Sequence, residues 1–191
     1  MMANAELCSD RVRLRDFRPD DLDDVFRYAS DPLVTRYAGW VPHRTPYDSM
    51  AYIQRCLADD WGPITFAVEH RAEARVIGVV DIRILSRFWK VGEIGYTLSR
   101  HYWGRGYNVE AGTLLLGYGF TELGLRRIQA VCDTANRRSY RTMEKLGMVR
   151  ERCIDGDRRS RHHSADRFVY SIFWREWQRR MVAAADEGRA R

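Results

Sequence analysis

The sequence predicts an α+β fold, with a mixed, largely antiparallel central sheet flanked by helices. Three observations predict it. The periodic segments run strand, two helices, three strands, helix, strand, helix, two strands. The three consecutive strands are joined by the short linkers HRAEA and SRFW, which favours antiparallel hairpins. The helices that alternate with later strands act as crossovers, so the sheet is mixed.

Residues 11–17 (RVRLRDF) alternate, with Val12, Leu14 and Asp16 on one face, and read as a strand. Pro19 and the acids from Asp20 to Asp24 open a helix whose positive end they suit. Its apolar stripe is Leu22, Val25, Phe26 and Ala29, and Asp31-Pro32 stops it. The stretch from Leu33 to Thr45 has no clear period and reads as a short helical turn and a loop. A second helix runs from about Pro46 to Asp60 with Met50, Ile53 and Leu57 inward. Three strands follow at 63–69, 75–85 and 90–98, then a helix from about Gly106 to Leu123. A strand at 126–132, a helix from Arg137 to Leu146 and strands near 148–155 and 164–173 complete the order. The tail WREWQRRMVAAADEGRAR reads as a short helix with a frayed end.

The 191 residues are expected to form one domain, with a core at about 10–175 and a C-terminal tail. No apolar run approaches the roughly 20 residues of a membrane span. The N-terminus lacks the basic-then-apolar pattern of a signal peptide, so the expected compartment is the cytoplasm. Cys8, Cys56, Cys132 and Cys153 are too far apart for a zinc or redox motif and read as free, mostly buried thiols. His162 and His163 would point to opposite faces of a strand and cannot easily share a metal, so no structural metal is expected. The net charge is +6, and only Lys90 and Lys145 among the 32 basic residues are lysines. Arginines are dense from Arg150 to Arg167, but Glu151, Asp155, Asp157 and Asp166 interleave there. That pattern suits a solvated hairpin better than a nucleic-acid patch.

Chemistry concentrates in GEIGYTLSRHYWGRGYNVEAGTLLLGYGF, residues 92–120. A strand runs into a loop holding Gly104 and Gly106, and the loop into a helix. Such glycines let backbone amides approach a ligand, and the first helical turn presents unpaired N–H groups. Together these can make an anion site, although from the glycines alone a plain turn entering a core helix is the better reading. The helix is nearly uncharged from Tyr107 to Thr121, Glu110 excepted, and must be buried. Downstream, in DTANRRSYRTMEKLGM, Asn136 is placed to start a helix and Ser139 lies three residues on.

These segments, in this order, resemble the GNAT acetyltransferase superfamily and within it the RimJ/RimL type. The opening RVRLRDFRPDDLDDVFRYASDPLVTRY, the helix entrance YWGRGYNVEA and NRRSYRTMEKLGM carry the resemblance, which covers roughly residues 10–175. The motif Gln/Arg-x-x-Gly-x-Gly/Ala falls on Trp103, Gly106 and Asn108, with Asn108 in place of a small residue. The resemblance implies a V-shaped splay between two parallel strands that receives acetyl-CoA. It implies that Tyr96, Thr97 and Leu98 pair with the pantetheine arm and that Trp103, Gly104, Arg105, Gly106, Tyr107 and Asn108 hold the pyrophosphate. Asn136 would bond the arm.

The implied reaction is direct attack of an amine on a thioester. An amine of pKa about 10.4 is mostly protonated at neutral pH, so a base or water relay is needed. Met143 stands where many relatives carry the tyrosine acid, so the resemblance passes that role to Ser139, with Tyr140 in reserve. Glu93 is the candidate base, acting through water, and reads equally as a solvated strand residue. Asp81 is the weaker candidate, because an Asp in so apolar a run can bind backbone instead. Glu110 reads as structural, holding the loop. Tyr37, Trp40 and His43 are expected to shape the acceptor pocket, though core packing accounts as well for the two aromatics.

The expected function is acetyl transfer to a primary amine, foremost a protein N-terminal amine. The alternatives are a small-molecule amine (antibiotic, polyamine or amino-acid derivative) and a non-catalytic CoA- or nucleic-acid-binding module. A homodimer is plausible by resemblance only.

Overall fold

The computed structural model describes residues 6–58, 62–156 and 165–189. His162 and His163 lie outside the described residues. The strands are β1 (Leu7–Cys8), β2 (Val12–Arg15), β3 (Ile64–His70), β4 (Arg75–Ser86), β5 (Val91–Leu98), β6 (Arg127–Asp133), β7 (Val149–Ile154) and β8 (Arg167–Phe173). The helices are α1 (Leu22–Ala29), α2 (Pro32–Thr35), α3 (Pro46–Leu57), α4 (Tyr107–Thr121), α5 (Arg137–Lys145) and α6 (Trp174–Arg189). Backbone pairing follows the order β1-β2-β3-β4-β5-β6-β8-β7, with β5 and β6 parallel. The chain forms two compact units, Met1–Arg83 with Ile94–Leu116, and Ile84–Glu93 with Gly117–Arg191.

In the first unit β1, β2, β3 and β4 pair antiparallel, with Val12 opposite His70 and Ile64 opposite Ile82. Phe17, Val25, Tyr28, Ala29, Val34, Ile53, Ala67, Val76 and Val79 form one buried cluster. An ion-pair network lies buried among them. The Arg15 guanidinium donates in parallel to both Asp21 oxygens at 2.8 Å and to Glu69 at 2.5 Å. Burial works against Glu69's charge, but the two arginines bonded to it hold its carboxyl below the usual range. Asp21 also accepts the Arg18 N–H at 2.7 Å, so it fixes the entry to α1 as well. Asp24 ties α1 to β4 by accepting from the Val76 N–H and the Arg75 side chain. Two of the acids that suit the helix dipole are therefore tertiary links.

In the second unit β6, β8 and β7 pair antiparallel, and Val91, Gly92 and Glu93 of β5 run parallel to Arg127, Ile128 and Gln129. Phe120 from the end of α4 meets Trp174 and Trp177 of α6, which stack on each other at 5.3 Å.

Several expectations need correction. Asp16 is exposed and β2 ends before it, because Phe17 takes the inward position. Tyr28 is fully buried in α1, while Phe26 is only half-buried. Leu57 is 46% exposed at the end of α3, where Ser49 and Ile53 turn inward. Ser49 tolerates burial because its hydroxyl meets His43 Nδ1 at 2.8 Å. Only Cys132 is buried among the thiols; Cys56 is half-buried, and Cys8 and Cys153 are exposed. The tail is not short: α6 follows β8 without a break and spans 16 residues. No helix of the described residues is long and apolar enough to cross a membrane.

Candidate active site

The site is built around the passage from β5 into α4. Leu98 is buried, and its carbonyl accepts the Trp103 Nε1–H at 2.7 Å, folding the indole back over the strand end. Gly104 and Gly106 have φ of 76° and 86°, in the left-handed region that a side chain disfavours. A Cβ at Gly104 would meet nothing and one at Gly106 only Arg11 at 3.5 Å, so conformation rather than space demands these glycines. They turn the chain so that α4 opens at Tyr107; the Gly106 carbonyl takes the Val109 and Glu110 amides, and those of Tyr107 and Asn108 lead the helix. The departure at Asn108 is visible too: its Oδ1 is buried and accepts no hydrogen bond.

Glu110 holds this loop. Its carboxylate accepts from the Ser9 hydroxyl at 2.6 Å, the Arg11 N–H at 2.9 Å and Arg11 Nε at 2.8 Å. Burial opposes the charge, but these bonds outweigh it and hold the carboxyl below the usual range. Arg11 also donates to the Arg105 carbonyl at 3.1 Å and stacks over the Tyr107 ring at 4.5 Å. Tyr107 is buried, and its hydroxyl meets His70 Nε2 at 2.9 Å. His70 Nδ1 accepts the Glu73 N–H, which leaves the proton on Nε2 and makes the imidazole the donor to Tyr107. Glu110 is thus a structural latch, as the sequence reading assigns. Ser9 and Arg11 were not foreseen, because their separation from Glu110 by about a hundred positions leaves no local signal.

Tyr96, Thr97 and Leu98 end β5. A Cβ on Gly78 of β4 would fall 2.3 Å from the Thr97 carbonyl oxygen and 2.9 Å from Leu98 Cα, so β4 closes on this segment at atomic contact. One residue earlier, a Cβ on Gly95 would lie 2.6 Å from Asp81 Oδ2. Asp81 is half-buried on β4, and its charge reaches Tyr52 and Cys56 of α3. Burial, first of all, pushes the Tyr52 phenol well above the usual tyrosine range. Around Tyr52 stand Phe17 (5.8 Å, edge-on), Trp40 (6.4 Å, stacked) and His43 (6.0 Å). Burial lowers the His43 pKa, so the ring is neutral at pH 7. Tyr37 stands apart, 40% exposed under Arg36. Tyr52 was missed by sequence reading; only its helical spacing from Ser49 and Cys56 could have found it.

In the second unit Asn136 caps α5, its Oδ1 accepting the Ser139 N–H at 3.2 Å. Ser139 also bonds the buried Cys132 thiol, whose pKa burial pushes up to about 11 despite that bond. Met143 is fully buried, and Tyr140 packs edge-on against Phe168 at 5.9 Å. Glu93 accepts from Gln129 Nε2 at 2.8 Å. Gln129 in turn accepts from Arg127, which pairs with Glu151. Glu93 is therefore neither a bare solvated residue nor isolated.

The chain was compared with known proteins. Residues 11–149 match the family model described as the acetyltransferase (GNAT) domain. An uncharacterized N-acetyltransferase of Bacillus subtilis, YnaD, is 33% identical over 87% of this chain and 96% of its own. The spermidine N(1)-acetyltransferase of Escherichia coli is 26% identical over 71% of this chain and 72% of its own. Among solved structures, a GNAT-family acetyltransferase from Bacillus anthracis superposes with a TM-score of 0.80 at 28% identity, over 88% of this chain and 98% of its own. The ribosomal-protein-S5-alanine acetyltransferase of Vibrio fischeri (TM-score 0.71, 21% identity, 91% and 98% covered) shares the fold. So does the microcin C7 self-immunity acetyltransferase MccE, solved with acetyl-CoA and AMP (0.74, 19%, 86% and 93%).

Proposed function

The chain belongs to the GNAT acetyltransferase family, and on that premise we propose that it acetylates a protein N-terminal amine in the manner of the RimJ/RimL type. The observation that carries the reading is the latched loop: two left-handed glycines stand where the chain enters α4, an arrangement that suits a bound anion. Acetyl-CoA is the family's co-substrate and supplies the thioester. Under this reading both compact units belong to one transferase domain and the reaction runs in the cytoplasm.

The amides from Trp103 to Asn108 take the pyrophosphate, and the backbone of Tyr96, Thr97 and Leu98 pairs with the pantetheine arm. Asn136 bonds the arm, and Ser139 gives a proton to the departing sulfur. Glu93, positioned by Gln129, draws the amine's proton through water. A good acid or base contribution of this kind is worth roughly 10²–10⁴ in rate.

A second reading is acetylation of a small-molecule amine, favoured by the 26% identity to a spermidine acetyltransferase. Thiol release from acetyl-CoA, measured against peptides with free N-termini and against polyamines and other small amines, decides between them. Turnover of peptides in preference to small amines supports the first reading, and the reverse order the second. No thiol release with any amine, together with no heat of acetyl-CoA binding, would overturn both.

A further inference from the structure

The geometry points to a further ligand site within the second unit, one that takes a small zwitterion with an apolar side chain: a free α-amino acid. The site is a cleft of about 580 Å³ between α5 and the face of β8 and β7, inside the roughly 300–1,000 Å³ range of small-molecule pockets. Tyr140 and Glu144 stand one turn apart on α5, and both line the cleft. Phe168 and Tyr170 are two residues apart on β8 and share one face of the sheet. Arg150 of β7 lies directly opposite Tyr170, so it joins them on that face. None of these residues has a part in acetyl transfer under the reading above.

The cleft holds an acid and a base that do not meet. Among the described residues the Glu144 carboxylate has a single side-chain partner, the Tyr170 hydroxyl, which donates to Oε1 at 3.1 Å. The Arg150 guanidinium spreads over the Phe168 ring at 4.8 Å, and its charge reaches the same Tyr170 hydroxyl. Neither Glu144 nor Arg150 enters an ion pair among the described residues. Two opposite charges therefore stand around one hydroxyl without neutralising each other. An α-amino acid carries its ammonium and carboxylate one carbon apart, which suits such a pair. The ammonium goes to the open Glu144 oxygen. The carboxylate goes to the N–H edge of the guanidinium, which stacking on a ring leaves free. The side chain rests on Tyr140 and Phe168, which meet edge-on at 5.9 Å, with Val149, 63% exposed, at the mouth. A planar base fits less well. Arg150 already covers a face of Phe168, and Tyr140 and Tyr170 are each turned 76° from that ring, so no flat platform is left for stacking. Because α5 opens at Asn136 and carries Ser139, an occupied cleft braces that helix against β8.

The test is calorimetry on the full-length protein without acetyl-CoA, with L-leucine and L-phenylalanine as probes. Leucinamide lacks the carboxylate, and N-acetylleucine lacks the ammonium. Each should bind roughly 10- to 100-fold more weakly than leucine, the loss expected for one charged hydrogen bond. Arg150→Met should bring leucine down to the affinity of leucinamide, and Glu144→Gln should bring it down to that of N-acetylleucine. Neither variant should change the melting temperature, or the KM for acetyl-CoA measured without amino acid. No heat with either probe at millimolar concentration overturns the inference. So does binding that both variants leave intact, which puts the amino acid elsewhere, and so does a nucleoside monophosphate that binds more tightly than leucine and is lost in the variants. The inference stands apart from the transfer reading. If leucine binds through both residues and no amine releases thiol, the site remains and the transfer reading falls. If amines are acetylated and neither probe binds, this inference alone falls.

Discussion

Replacing Glu110 by Gln tests whether the latch holds the anion loop. The carboxylate accepts from Ser9, from the Arg11 N–H and from the Arg11 side chain, whose Nη2 approaches to 2.6 Å. Glutamine keeps the shape but removes the charge and turns an NH2 donor toward groups that already donate. Hydrogen bonds to a charged group are worth about 1.5–3 kcal/mol each. The Arg11 side chain is 47% exposed, so solvent screening reduces its share, and a net loss of about 1–2 kcal/mol is expected. For a chain of this size that lowers Tm by roughly 2–8 °C. The pH dependence has a definite sign. The folded pKa of Glu110 is depressed. The stability it contributes is therefore present above the unfolded glutamate value of about 4.3 and lost as pH falls through the lower folded value. The Tm gap between wild type and variant should be full at pH 7 and close in acid, and the KM for acetyl-CoA should rise at pH 7. Calorimetric melts from pH 3 to 7 with steady-state kinetics measure all three. Equal Tm at pH 7, or a deficit that persists unchanged in acid, would refute the latch.

Three further outcomes are expected. Gly78→Ala places a methyl 2.3 Å from the Thr97 carbonyl, and because the obstacle is backbone it should cost about 3 kcal/mol in urea titration and weaken acetyl-CoA binding; a loss under about 1 kcal/mol would contradict the close approach. Arg15→Met strips the buried Asp21 carboxylate of its guanidinium partner and leaves Glu69 to Arg13 alone, and should cost about 3–5 kcal/mol, most of it recovered when both acids are also made neutral; additive losses would rule out the coupling. Ser139→Ala should lower kcat by roughly 10²-fold with little change in the KM for acetyl-CoA, and unchanged turnover would remove Ser139 from the leaving-group role.

The strands were legible as apolar runs set off by the short linkers HRAEA and SRFW: β3, β4 and β5 fall within a residue or two of their expected bounds. The loop was legible because Gly104 and Gly106 announce a backbone that other residues avoid. Long-range pairing was not. Nothing local to Arg15, Asp21 and Glu69 says that three charged residues share a buried network, since each alone reads as surface. Ser49 reads as polar and therefore outward until His43 is known to meet it. Leu57 fits the helical stripe, but α3 ends there and its last turn faces solvent. The carboxylate of Asp81 could be read from sequence only as a choice between backbone and chemistry; it took Gly95 on the neighbouring strand to show where it lies.

The C-terminal helix gives the second unit a dependency that domain trimming would expose. Arg180 lays its guanidinium where a Gly147 side chain would be, with Nε 2.4 Å from the absent Cβ, and its charge stands at the carbonyl end of α5. Gly147 and Arg180 therefore depend on each other: a larger residue at the first evicts the second, and loss of the second leaves a hole at the first. Since α5 begins at the Asn136 cap and carries Ser139, a protein cut after β8 for crystallisation or display would keep every residue assigned to chemistry. It would still lose the brace on the helix that presents two of them, and would uncover Phe120 as Trp174 and Trp177 leave, so slow turnover and lost stability would arrive together.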